Sequence, residues 1–220
     1  QAAKAGAKKN PKNPFDQNQT APNYNVFNVR YGFSNSYLVD HTSAVIDYQL
    51  AENFSKVSLT LQYRKLFKNN HQINLRFYGG TFIYSDLPKN SNYFSFALDR
   101  PTDYLFDYNY YGRSEGDGLF SQQIIMAEGG FKSQVMPEYA NQWITTVNAS
   151  TNIWKWIFAY GDAGIVKNSG ENSKFLYDSG IRVALVEDYF EVFFPVYSNL
   201  GWEIAQPNYD QKIRFIVSLD

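Results

Sequence analysis

The sequence has no cysteine and only two histidines. Without cysteine there is no disulfide framework and no thiolate metal site. His41 and His71 lie thirty positions apart, so the His-x-x-x-His spacing of a zinc hydrolase is missing. An excess of one charge is missing too. Lys and Arg number 20 against 21 Asp and Glu, a net charge of −1, which gives nucleic acid no polybasic footprint to bind. The longest apolar run, Trp156 to Tyr160, is five residues, whereas a membrane helix needs about 20. Residue 1 is Gln, and no charged stretch followed by an apolar one marks a signal peptide. The chain therefore reads as processed or partial.

What is present is aromatic residues and alternation. The chain carries 18 Tyr, 18 Phe and 4 Trp. Residues 1–23 are mostly Lys, Asn, Gln, Pro and Ala, with one Phe. Such a stretch buries too little apolar surface to offset its ordering entropy, and it reads as a mobile loop or linker. From Tyr24 onward a period of two dominates. Val57, Leu59, Leu61 and Tyr63 fall on one face of segment 55–66, and Lys56, Ser58, Thr60, Gln62 and Arg64 on the other. Segments 71–84 and 211–219 repeat this pattern. Segments 24–33, 43–52, 103–111 and 174–187 follow it well, 141–152, 154–167 and 189–198 less cleanly, and 119–128 weakly.

Ten or eleven strands and no amphipathic helix predict an all-β chain, and two architectures present such strands. In a soluble β-sandwich the apolar face points into a core. In an outer-membrane barrel it meets lipid and the polar face lines the interior. Candidate strands of ten to fourteen residues exceed the usual globular length of about 5–6 and match the about 9–11 needed to span a bilayer. The polar face carries Arg30, Asp47, Lys56, Arg64, Arg76, Asp107, Asp178, Arg182, Lys212 and Arg214, read as a partly paired interior network. Tyr84, Trp154, Trp156, Tyr189, Tyr197 and Trp202 stand near strand ends, where aromatic girdles occur at membrane interfaces. The expectation is an antiparallel transmembrane β-barrel over 24–220. Loop-length parity puts residues 1–23 outside the cell. An odd strand count makes the chain the C-terminal part of a larger barrel.

The stretches FSFALDRPTDYLFDYNYYGRSE (94–115), EGGFKSQV (128–135), YDSGIR (177–182) and DYFEVFFPVYSNLGWEIAQPNYDQKIRFIVSL (188–219) are distinctive. They resemble the C-terminal outer-membrane barrel region of Bacteroidota surface proteins of the aminopeptidase-N-like (gluzincin) zinc metallopeptidase type. The resemblance implies a location in the bacterial outer membrane and a catalytic-type domain upstream. The family's His-Glu-x-x-His signature has no counterpart here, so no catalytic residue carries over.

The search for chemistry adds little. Ser43 lies two residues from His41 without a third member for nucleophilic catalysis. The tract Ser114-Glu115-Gly116-Asp117-Gly118 lacks the spacing of a calcium loop. Gly79-Gly80 and Gly129-Gly130 are not nucleotide loops, since no Lys-Ser/Thr follows; glycine in a strand pattern marks a bulge, a bend or a close backbone approach. No catalytic residue, metal or cofactor is expected of this segment. The functional expectation is a barrel segment that anchors a metallopeptidase-like protein and docks other outer-membrane or periplasmic proteins. Its surroundings would be outer-membrane lipid and lipopolysaccharide, with no nucleic acid. Two alternatives are a pore and a secreted, soluble β-sandwich glycan-binding module with Trp154, Trp156 and Trp202 as a sugar-stacking platform.

Overall fold

A computed structural model of the chain describes residues 25–89, 92, 94–100, 104–105, 123–186 and 189–217. Asp107, the tract 114–118 and the expected linker 1–23 lie outside the described residues, as does almost all of the expected strand 103–111. Among the described residues there are twelve strands: β1 (Phe27–Ser36), β2 (Asp40–Leu50), β3 (Phe54–Leu66), β4 (Gln72–Ser85), β5 (Phe96–Ala97), β6 (Tyr139–Ala140), β7 (Trp143–Trp154), β8 (Ile157–Lys167), β9 (Lys174–Val186), β10 (Phe190–Ser198), β11 (Gly201–Trp202) and β12 (Arg214–Val217). No helix among the described residues is long and apolar enough to cross a membrane. Of the weak segment 119–128 only 123–128 are described; these form no strand and contribute a bridge from Gln123 to Phe215.

Ten strands make one antiparallel sheet in the order β1-β2-β3-β4-β7-β8-β9-β10-β11, with β12 also paired to β10. Alternation sets its two faces. Ile46, Leu59 and Gly79 stand opposite one another across β2, β3 and β4, and Leu61, Phe77, Val147 and Ala163 across β3, β4, β7 and β8. These positions form an outer face on which Val29, Ile46, Leu61, Leu75, Val147 and Ile165 are exposed. The inner face is polar: Gln62, Arg76, Asn148, Asp162 and Asp178 stand opposite one another across β3, β4, β7, β8 and β9.

The sheet is open. Its order begins at β1 and ends at β11, and among the described residues no strand joins the two ends. Alternation dictates two unlike faces, but a barrel also requires the end strands to pair. The expected closed transmembrane barrel is therefore corrected to an all-β architecture of two open antiparallel sheets. The pore reading and the sidedness drawn from loop parity depended on closure, and they fall with it. So do the outer-membrane location and the anchoring role.

The second sheet is the pair β5-β6, which lies over the polar face of the first. Phe96, Leu98, Phe131 and Val135 from this covering layer form one buried cluster with Tyr78, Ile144, Val166 and Leu176 of the large sheet. Burying each such side chain is worth about 1.5–3 kcal/mol. Glycine permits the close approach: a Cβ at Gly80 would meet the Phe96 ring at 2.6 Å, and one at Gly129 would meet the Leu98 backbone at 2.8 Å. The face that bears the charges is thus the covered one, and the apolar face is left open.

Candidate functional site

Two features are built from unusual residue placements. The first is a polar cleft between the inner face and its covering layer, where two adjoining cavities of about 310 and 320 Å³ both touch Arg76 and Met126. Lys132, from the covering layer, places its ammonium 2.8 Å from both carboxylate oxygens of Asp162. It also lies 5.4 Å from the centre of the Tyr160 ring. Asn148 ties the network together. Its amide donates to Asp162 at 2.9 Å and to the Gly129 carbonyl at 3.1 Å, while its own carbonyl accepts from Arg76 at 2.8 Å.

Asp178, opposite Asp162 in the register, accepts the backbone N–H groups of Lys132 and Ser133 at 2.7 and 2.6 Å. Burial, and then the neighbouring Asp162 carboxylate, hold its pKa well above the ordinary value. Two buried carboxyls beside one ammonium cannot both ionise cheaply.

The expected interior charges are distributed as local pairs. Arg30 binds Asp47 at 2.9 Å, Arg182 binds Glu191 at 2.9 Å and stacks 4.0 Å from the centre of the Phe158 ring, and Arg214 lies 3.4 Å from Asp99. Lys212 binds the buried Glu203, and Arg64 lines the 310 Å³ cavity together with His41. Lys56 is enclosed by Phe82, Phe96 and Tyr104 and donates to the Phe94 carbonyl at 2.8 Å. Burial lowers its pKa from 10.5 to about 8, against the opposing pull of Glu128 and Asp47. Sequence reasoning missed Lys132, Asp162, Glu191, Asp99 and Glu203. Asp162 and Glu191 sit at inner-face positions that alternation identifies, whereas Lys132 and Asp99 belong to a layer with no period at all.

His41 shares a 2.6 Å hydrogen bond with Ser36 through Nδ1, and Ser43 instead donates to Gln62 at 3.4 Å. The two sequence neighbours are not brought together as nucleophile and base. Among the described residues no group of three or more His, Cys, Asp or Glu is placed to hold a metal.

The second feature is a row of rings at one end of the outer face. Phe175 and Tyr177 of β9, Tyr197 of β10 and Trp202 of β11 follow one another with centroids 6.0, 5.8 and 5.2 Å apart. Successive planes differ by 34°, 31° and 59°. Phe175 is 59% exposed and Trp202 60%. Tyr177 is hydrogen-bonded to Tyr197, and this raises its pKa above that of an ordinary phenol.

The surrounding chain fixes the row. Asn199, in the two-residue turn between β10 and β11, accepts the Tyr177 N–H at 2.5 Å and donates to the Phe175 carbonyl at 3.3 Å. Gly201 takes φ +90° to make that turn, and Tyr197 then stands opposite Trp202. Next in the chain, Glu203 turns inward and is gripped by Ser198 and Lys212, so Trp202 is held outward.

The structure does not assemble the expected tryptophan platform. Trp154 ends β7 and Trp156 stands in the turn before β8, and the Trp156 carbonyl accepts from Ala184. Trp202 aligns through Tyr197 with Ser179. The separation along β9 alone is about 16 Å at a strand's rise. Tyr84 and Tyr189 are exposed near strand ends elsewhere. With the sheet open, these rings do not form the two girdles of a barrel.

Comparison with models of known families, with curated proteins and with solved structures finds no match. The resemblance to the barrel region of aminopeptidase-N-like proteins is therefore not upheld, and the open sheet argues against it on independent grounds.

Proposed function

We propose that the chain is a non-catalytic binding module that takes a linear glycan along the aromatic row. The row of Phe175, Tyr177, Tyr197 and Trp202 carries this reading. Sugar rings present apolar C–H faces edged with hydroxyls. A line of exposed, pre-ordered rings offers large contact area at little conformational cost. No two successive planes are parallel, which suits a chain of sugar units that itself twists. Polar groups border the row: Lys174 is paired to Glu171 at 3.0 Å, and Gln206 donates to the Leu200 carbonyl at 2.8 Å.

The test is a tryptophan-fluorescence and calorimetric titration with hexasaccharides of β-1,4-glucose, β-1,4-xylose and α-1,4-glucose. At least one should bind, and Trp202→Ala should weaken it tenfold or more, about 1.4 kcal/mol. Trp154→Ala should leave binding unchanged. No binding at millimolar sugar, or equal losses from both variants, would sink the assignment.

A further inference from the structure

The two ends of the large sheet are finished very differently. At one end β11 has two residues and β12 four among the described residues, flanked by the 3-10 turns Glu203–Ala205 and Tyr209–Lys212. Pro195 interrupts β10 next to an irregularity in its register with β9. Short strands, a proline and a bulge are the usual protections of a sheet edge. At the other end β1 has none of them. It pairs with β2 from Phe27↔Leu50 to Ser36↔His41 without a register shift. All ten of its residues are exposed, and its second side pairs with no strand among the described residues. Its single charged residue, Arg30, is drawn to Asp47 on β2. A regular edge of this length carries a full row of hydrogen-bonding backbone groups.

We propose that β1 is a dimerisation edge that pairs antiparallel with β1 of a second copy of this chain about a two-fold axis. The strand's own sequence specifies the register. Phe27, Val29, Tyr31 and Phe33 belong to the outer face, so pairing must match odd positions with odd ones to keep that face continuous. An axis at Arg30 would set two guanidinium groups opposite each other, which is unfavourable. An axis at Gly32 would leave Phe27 unpaired and set Val29 against Asn35. An axis at Tyr31 keeps Phe27 paired, against Asn35, and sets Tyr31 against Tyr31, Val29 against Phe33 and Arg30 against Gly32. Here the second copy offers no side chain beside the arginine. This last register is self-complementary, as an isologous interface requires. The two sheets become one, with both outer faces on the same side and the two aromatic rows at its far ends. The inference is independent of what the aromatic row binds.

The chain's lack of cysteine provides the test. Sedimentation equilibrium of the purified chain at tens of micromolar should give twice the chain mass, and Tyr31→Lys should raise the dissociation constant at least tenfold. With diamide as oxidant, Tyr31→Cys should yield a disulfide-linked dimer. Val29→Cys alone should not, whereas Val29→Cys with Phe33→Cys in one chain should. Ile165→Cys, central on the outer face, is the control. A single chain mass for the unaltered protein overturns the proposal, as does an undisturbed dimer in Tyr31→Lys that keeps native circular dichroism. Cross-linking of Ile165→Cys as complete as that of Tyr31→Cys assigns the contact to the outer face and overturns it too.

Discussion

Lys132 and Asp162 form an ion pair almost wholly removed from water, with side chains 6% and 0% exposed and the ammonium 2.8 Å from the carboxylate. The pair joins the covering layer to the middle of the large sheet. A buried pair adds little net stability, because desolvation offsets attraction, but breaking one strands its partner. Lys132→Met should therefore destabilise the fold by about 3–5 kcal/mol, read as a lower urea midpoint. Loss of the covering layer should also expose Tyr160 to quenchers.

Replacing Asp178 should act in the opposite direction. Its raised pKa follows from burial and from Asp162; Lys132, Tyr160 and Arg214 are the other titratable groups coupled to it. A carboxyl whose folded pKa lies above its unfolded value of about 3.9 gives a contribution that is full below that value. The contribution disappears as pH climbs through the folded pKa. An amide oxygen at this position still accepts the two backbone N–H groups, and its nitrogen can donate to Asp162. Asp178→Asn should thus gain stability relative to the parent chain between pH 4 and pH 7 in urea titrations. A parallel pair of curves would contradict the shared-site account.

Lys56 makes the mirror-image case at high pH. Its pKa of about 8 lies below the ordinary 10.5 because burial disfavours its charge. The unfolded chain then binds the extra proton between these values, so stability attributable to Lys56 rises across that window, on the order of 3 kcal/mol in total. Lys56→Met should lack that rise, measured as the difference between the two proteins' stabilities at pH 7.5 and pH 10.

Gly130 takes φ +73°, and a Cβ there would lie 2.6 Å from the Asn148 side chain. Gly130→Ala should cost about 1–3 kcal/mol. It should also shift the Asn148 side-chain amide resonances, because it pushes on the residue that bonds both Arg76 and Asp162.

Much of the large sheet is legible in the sequence. The alternation of 55–66 appears as β3 with the expected faces, and 71–84 and 174–187 appear nearly intact as β4 and β9. Boundaries moved where side-chain pattern is not what ends a strand. Residues 34–42, left between the expected strands 24–33 and 43–52, belong mostly to β1 and β2, which run to Ser36 and from Asp40. Segment 211–219 becomes strand only from Arg214 because Tyr209–Lys212 winds into a 3-10 turn. Closure was not legible, since nothing in a strand's own period states which strand lies beyond the first. The covering layer was not legible either, because its contacts, such as Phe96 on Gly80 and Lys132 on Asp162, are long-range and aperiodic. The aromatic row was half legible. Phe175, Tyr177 and Tyr197 all fall in expected strands, but only the β9–β10 register and the Asn199 turn place them beside Trp202.

The Lys132–Asp162 pair also has a consequence for how the chain chooses its alignment during folding. The outer-face residues of β8 include Ala159, Gly161 and Ala163, which are too small and too alike to penalise a misaligned neighbour strongly. A slip of β8 by one position would turn Asp162 to the other side of the sheet. Lys132 would then lose the carboxylate it bonds directly, and Asn148 one of its two acceptors. The buried ions thus serve as a checksum on strand pairing, rejecting offsets that small hydrocarbon side chains would let pass.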